Sequence, residues 1–298
     1  MKKLIGIMAW ITLCLMACNT DNEDNHEAAN NSICFVANET RAIADISDIQ
    51  EEGFKVWGGY GTTTVFSGEA IVLGDDNLHT TDKQWTNNTY NFFAVYPTTA
   101  NGTYTAPSTF AINNYNVRDN QEKDLMIAAA YNHAYPDNGV AVGLHFQHAL
   151  TAVSFSIKLE SGKTYKNTYR IVSATIGNVY TNGNIAVGND ATITTTPTGG
   201  KGSTNAITEF SGTNFTATKA MVSTPVMTVP QQTTATLHLE IDVNGEIIEI
   251  DKDNFVVDWK TGNSYLYNIT LDATKDISVA VTTTDWDRPN ISDIIITQ

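Results

Sequence analysis

Leu237-His238-Leu239-Glu240-Ile241-Asp242-Val243-Asn244-Gly245-Glu246-Ile247-Ile248-Glu249-Ile250 decides the fold class. Leu237, Leu239, Ile241 and Val243 recur at every second position, and Ile248 and Ile250 resume that spacing after Asn244-Gly245. A strand points successive side chains to opposite faces, so this alternation buries one face and leaves the other wet. An Asn-Gly pair readily takes the positive φ angles that a tight two-residue turn requires. The stretch reads as a long antiparallel hairpin.

The same period continues on both sides of it. Val140, Val142, Leu144, Phe146 and His148 share one face of a strand, with Ala141, Gly143, His145 and Gln147 on the other. Val153, Phe155, Ile157 and Leu159 alternate with Ser154, Ser156 and Lys158, and a later strand runs through Tyr265, Tyr267, Ile269 and Leu271. Asn182-Gly183 predicts a second tight hairpin. The Thr- and Gly-rich segment Thr194 to Ser203 reads as an exposed, mobile loop. Helical periodicity is hard to find; Glu122 to Ala130 has helix-compatible composition with weak periodicity, and its state stays open. Short antiparallel strands in each half predict an all-β chain of two stacked β-sandwiches, residues 32–160 and 161–298, with the boundary near Leu159 to Lys166.

The beginning of the chain follows different rules. Lys2 and Lys3 precede an apolar run from Leu4 to Met16, too short to span a bilayer and laid out as a secretory signal. It ends in Leu15-Met16-Ala17-Cys18, the arrangement read by lipoprotein signal peptidase. Residues 1–17 are expected to be removed between Ala17 and Cys18, and Cys18 to be acylated, which anchors the protein to a membrane because each buried methylene contributes roughly 0.8 kcal/mol. Residues 18–31 form an acidic, polar leader that cannot bury a core. Its Asp21-Asn22-Glu23-Asp24 stretch fits either a surface-export tag or solvated linker.

Only Cys18 and Cys34 survive that cleavage, and with Cys18 committed to lipid no intrachain disulfide framework is available. Core burial must hold the fold. The formal net charge of -15 disfavours nucleic acid or anionic lipid as a partner. Charged residues make up 16% of the chain, and threonine and asparagine supply much of the polar surface, a composition suited to strands and turns.

No arrangement of residues announces chemistry. His145 and His148 lie three apart on a strand and face opposite ways, so they cannot share an ion. The acidic pairs Asp75-Asp76 and Asp251-Asp253 lack calcium-loop spacing and read as solvated turns. Gly199-Gly200-Lys201-Gly202-Ser203 has glycine between Lys and Ser and no strand-to-helix context, so it is set aside as loop. A nucleophile elbow, a zinc-protease helix and a dinucleotide turn are all missing, so the expectation is no enzyme and no cofactor. Trp57, Tyr60, Trp85, Tyr90, Tyr96, Trp259 and Trp286 fit either core packing or a platform on which a glycan could stack.

Several segments, taken in order, resemble the fimbrillin family of type V pilins and related surface lipoproteins. They are the Cys18 lipobox, Thr40-Arg41-Ala42, Phe54-Lys55-Val56-Trp57-Gly58 with Val65-Phe66, and Phe92-Phe93-Ala94-Val95-Tyr96-Pro97. Asp124-Leu125-Met126, Phe146-Gln147-His148-Ala149-Leu150, Pro230-Gln231 and Trp259-Lys260-Thr261-Gly262 complete the series. The resemblance implies two transthyretin-like sandwich domains, export to the cell outer membrane as a lipoprotein, and polymerisation with other fimbrial subunits by strand exchange. In such pilins a trypsin-like protease clips after a basic residue and the first strand leaves its groove, to be replaced by a strand from the next subunit. The resemblance implies that on this chain the clip falls between Arg41 and Ala42, that the discarded strand is Ile33-Cys34-Phe35-Val36, and that the donor is Ile294-Ile295-Ile296. Only Asp287 to Gln298 follows Trp286, which leaves stalk, tip, accessory and anchor roles open. A monomeric surface lipoprotein that binds host glycan through exposed aromatics is the alternative.

Overall fold

The computed structural model describes residues 31–38, 46–74, 78–119, 123–134, 141–285 and 294–297. The chain is nearly all β. Strand β1 (Ser32–Asn38) and helix α1 (Ile46–Glu52) are followed by β2 (Phe54–Tyr60), β3 (Thr63–Ile71), β4 (Leu78–Gln84) and β5 (Thr89–Tyr96). Next come β6 (Thr103–Thr105), β7 (Thr109–Asn116), a 3₁₀ turn at Val117–Asp119, β8 (Met126–Ala134), β9 (Val142–His145), β10 (Gln147–His148) and β11 (Thr151–Leu159). The remainder comprises β12 (Tyr169–Val187), β13 (Ile193–Ser203), β14 (Met221–Val222), β15 (Val226–Thr228), β16 (Gln231–Val243), β17 (Glu246–Trp259), β18 (Asn263–Leu271), β19 (Ile277–Asp285) and β20 (Ile294–Thr297).

These strands form four sheets among the described residues. The first runs β4-β1-β9 and the second β10-β8-β5-β2-β3. The third runs β17-β16-β12-β7-β6, with β13 also on β12, and the fourth β14-β11-β18-β19-β20, with β15 also on β11. The first two sheets close over one core that includes Phe35, Phe54, Phe66, Phe92 and Phe146. The last two close over another that includes Phe155, Leu239, Phe255, Trp259 and Tyr267.

The second sheet is buried on both faces at its centre, and the sequence of β5 shows why. Phe92 and Ala94 enter the first core, whereas Phe93 and Val95 point the opposite way into a third cluster with Trp57, Phe110, Ile112, Ile185 and Val187. A strand covered on both sides has no wet face, so its residues read as a continuous apolar run instead of an alternation. The third cluster draws its residues from Trp57 through Val229, on both sides of position 160. Strand β12 pairs with β16 over Tyr169 to Ile176 and with β7 over Asn182 to Val187, so one sheet takes strands from both sides of position 160.

The hairpin at 237–250 forms as its spacing predicts. Asn244 and Gly245 take φ of 56° and 92°, and β16 and β17 pair from Val243↔Glu246 back to Gln231↔Trp259. Val142, Leu144, Phe146 and His148 are buried while His145 is exposed, as the alternation requires; the face continues although the chain passes from the first sheet to the second at Phe146.

Two expectations are corrected and one open reading is resolved. Asn182-Gly183 makes no turn: it lies inside β12 where the strand is bracketed by β7 and β13, with register slips between Tyr180 and Asn182 and between Gly183 and Ile185. Glycine is used there for close approach, since a Cβ would lie 3.1 Å from Thr195 Cγ2 and 3.2 Å from Val229 Cγ1. The reversal comes instead at Gly188 to Ala191, closed by the Gly188 N–H donating to the Thr192 carbonyl at 2.8 Å. Thr194 to Ser203 is strand β13, because β-branched threonines tolerate a half-exposed edge and β12 supplies a partner ladder. Pro197 fits because it sits at an edge. Finally, most of the undecided segment Glu122 to Ala130 is strand: Met126 to Ala130 begin β8, which pairs with β5.

Candidate assembly site

Strand β1 is written in β-branched and aromatic residues, Ile33-Cys34-Phe35-Val36, and it occupies the middle of the first sheet. It runs antiparallel to β4, with Phe35 opposite His79, and parallel to β9, with Phe35 opposite Val142 and Ala37 opposite Leu144. Ile33, Phe35 and Ala37 form its inward row and are fully buried. Phe35 meets Phe66 edge-on at 5.4 Å. Burying an isoleucine or phenylalanine contributes about 1.5–3 kcal/mol each, so this row supplies a sizeable part of the marginal stability of a domain.

Side chains reinforce the ladder. The Thr81 hydroxyl donates to the Ile33 carbonyl at 2.8 Å, and the Trp85 backbone N–H donates to the Asn31 carbonyl at 2.8 Å. The Cys34 thiol, itself buried, donates to Thr80 Oγ1 at 3.4 Å. Taking β1 out would therefore uncover two strand edges and the apolar seats of Ile33 and Phe35 together. Such a slot accepts any extended segment with apolar residues at alternate positions, because backbone hydrogen bonds supply affinity and the seats supply selectivity.

Arg41 and Ala42 lie between β1 and α1 in the chain and outside the described residues, as do Ala17, Cys18 and the whole leader. Ile294, Ile295 and Ile296 lie in β20, which pairs antiparallel with β19 in the fourth sheet at Thr283↔Ile294, Thr282↔Ile295 and Val281↔Ile296. The structure thus holds the predicted donor and the β1 slot in different sheets.

The aromatic platform is not assembled. Trp57, Tyr90, Tyr96 and Trp259 are buried, and Tyr60 and Trp85 pack half-buried against the first core. Trp286 and Asp75-Asp76 lie outside the described residues. These rings are spent on packing, as the Trp259 indole shows by donating to the Tyr267 hydroxyl at 2.9 Å. Among the described residues no group of His, Cys, Asp and Glu side chains could hold a metal ion.

One polar pair was not foreseen. The buried ring of His148 hydrogen-bonds Asp124 Oδ2 through Nδ1, and Asp124 is buried as well. Burial, with the Asp124 charge adding to it, pushes the nearby Tyr115 hydroxyl above its ordinary range. The pair stands where the chain crosses between sheets: His148 pairs with Met126 in register, and the Ala149 N–H donates to the Leu125 carbonyl at 2.8 Å.

Comparison with known proteins agrees with this architecture. A fimbrial protein from Bacteroides vulgatus superposes with a TM-score of 0.61 at 12% identity, over 86% of this chain and 100% of that one. A candidate cell adhesion protein from Bacteroides uniformis gives 0.54 at 18% identity, over 86% of this chain and 99% of the other. No curated protein matches. The fimbrillin-like family model matches residues 26–286, which takes in β1 and all of the described strands up to the end of β19. The chain belongs to the fimbrillin-like family.

Proposed function

We propose that the chain is a structural and adhesive subunit of a cell-surface fimbria, exported as a lipoprotein acylated on Cys18 and assembled by β-strand donation. The observation that carries this reading is the position of β1: the strand at the centre of a sheet is the one that a single cut after Arg41 severs from the rest of the fold. Before the cut, the covalent tie and the buried row of Ile33, Phe35 and Ala37 keep the slot filled. After it, β1 is held by non-covalent contacts alone, and a donor with apolar residues at alternate positions competes for the same seats. Joints of this kind dissociate slowly, because leaving requires breaking a whole strand's ladder at once.

The donor is Ile294-Ile295-Ile296 from a neighbouring subunit, which must first leave β19 of its own chain. Partners are other fimbrial subunits and, through lipid, the outer membrane; the protein needs no cofactor and performs no catalysis.

Limited trypsin treatment of the purified full-length chain tests this. The expected result is a new N-terminus at Ala42, followed by a ladder of oligomers on a denaturing gel run without boiling. Surface material that carried Cys18 on every copy, with no ladder after trypsin, would sink the proposal.

A further inference from the structure

We propose that the end of the molecule formed by the loops around Tyr169 and Phe215 carries a binding subsite for a neutral saccharide. A cavity of about 340 Å³ lies there, with Tyr165, Asn167, Thr168, Tyr169, Asn214 and Phe215 among its walls. Its size falls within the range of small-molecule sites, roughly 300–1,000 Å³. Loops at the end of a sandwich, held by a rigid scaffold, are where binding residues concentrate.

The walls are built in place. The Leu159 N–H donates to the Thr216 carbonyl at 3.1 Å and the Phe215 N–H to the Tyr169 carbonyl at 3.0 Å, tying the two flanking segments together. On the other side the tip of the β16–β17 hairpin clasps the wall: the Thr168 N–H donates to Asn244 Oδ1 at 2.8 Å, and the Asn244 amide donates to Asn167 Oδ1 at 2.9 Å. A pocket with pinned walls loses little freedom when a ligand enters.

The chemistry of the lining selects the ligand. Leu159 and Phe215 make an apolar floor, and the rings of Tyr165, Tyr169 and Phe215 follow one another at centroid distances of 5.9 Å. Neutral amide and hydroxyl groups of Asn214, Thr168 and Thr218 complete it, and no lining residue carries a charge. A pyranose presents an apolar C–H face to aromatic rings and a rim of hydroxyls to neutral donors and acceptors, so it matches on both counts. An ionic ligand would lose its hydration without gaining a counter-charge. Phe215 belongs to the core of the last two sheets, with Tyr165 and Tyr169 half-buried against it; the site needs no polymer, so it goes beyond the assembly reading and stands or falls separately from it.

Saturation-transfer NMR on the full-length monomeric chain tests the subsite with glucose, galactose, mannose and N-acetylglucosamine, against glucuronate and glucosamine as charged counterparts. At least one neutral sugar is expected to give a saturable signal, with charged counterparts at least about tenfold weaker. Ala217→Phe fills the cavity and Asn214→Ala removes a wall amide without entering the core; each is expected to weaken binding about tenfold at an unchanged melting temperature. No saturable signal from any of the four neutral sugars, equal or tighter binding of a charged one, or wild-type affinity in either folded variant overturns the proposal.

Discussion

The ring of Phe35 in β1 meets the ring of Phe92 in β5 edge-on, with centroids 5.3 Å apart and planes at 84°. This contact ties the middle strand of one sheet to the middle of the facing sheet, and Phe66 closes the group. Phe35→Ala is expected to destabilise the intact chain by about 3–5 kcal/mol, the usual loss for a buried phenylalanine that leaves a cavity. Urea unfolding followed by tryptophan fluorescence measures it. A loss below about 1 kcal/mol would mean that β1 is a peripheral strand.

Asp124 and His148 form a buried polar pair at the crossing between the second sheet and β11. Removing one partner leaves the other group desolvated, so Asp124→Ala should cost about 3–5 kcal/mol. The double variant Asp124→Leu, His148→Leu should recover much of that loss, because it leaves no polar group behind. A double-mutant cycle reads the coupling, and additive losses would show that the pair contributes no more than packing.

The strands whose one face is wet were legible, because alternation survives wherever water defines an outside; β11, β16 and β18 are of this kind. In β5 the run Phe92 to Tyr96 shows no alternation, because both faces are covered, one of them by a layer that comes from β7 and β12, distant in sequence. Asn182-Gly183 misled because the local signal for a turn is also the signal for backbone that needs room, and only the partner exchange along β12 separates the two. The thread of threonines in β13 carried no apolar period to betray it. At the candidate site, β1 was visible as a short strand, but its central place depends on parallel pairing to β9, which no local pattern encodes. The bond from Asp124 to His148 was hidden for the same reason: each residue was noticed alone.

Tyr131 predicts an alkaline limit to stability. Its hydroxyl donates to the Gly188 carbonyl at 2.8 Å, and burial, with the Asp190 charge adding to it, pushes the group up from 10.0 to about 12. The folded state thus prefers neutral tyrosine. Its contribution is fully present below the unfolded value and is lost as pH rises through the window from 10.0 to about 12, where the unfolded chain ionises first. Tyr115 and Tyr267 shift the same way. The melting temperature should fall across that window, and Tyr131→Phe should flatten the fall. An identical slope in the variant would remove Tyr131 as a cause.

Gly245 is held at φ of 92° with nothing within 4 Å of where a Cβ would sit. Gly245→Ala therefore isolates backbone strain from crowding, and about 1 kcal/mol of destabilisation is expected. Asn244 tolerates its own φ of 56° because asparagine enters the left-handed region more readily than other side chains. Chemical denaturation of the alanine variant with an unchanged m-value would confirm that only the turn has been strained.

Deleting Ser292 to Gln298 separates folding from assembly. Strand β20 adds four residues to the outer side of β19, whereas β19 keeps its full ladder with β18 from Leu271↔Ile277 to Asn263↔Asp285. The core of the last two sheets draws on β18 and β19 through Tyr267, Ile269, Val279 and Val281, all of which remain. The shortened chain should keep its far-ultraviolet circular dichroism and melt cooperatively. If Ile294-Ile295-Ile296 is the donor, trypsin-treated deletion protein forms no ladder by itself, yet its emptied β1 slot still accepts one intact subunit and caps a growing polymer. Ladders of normal length from the deletion protein alone would assign donation to another strand.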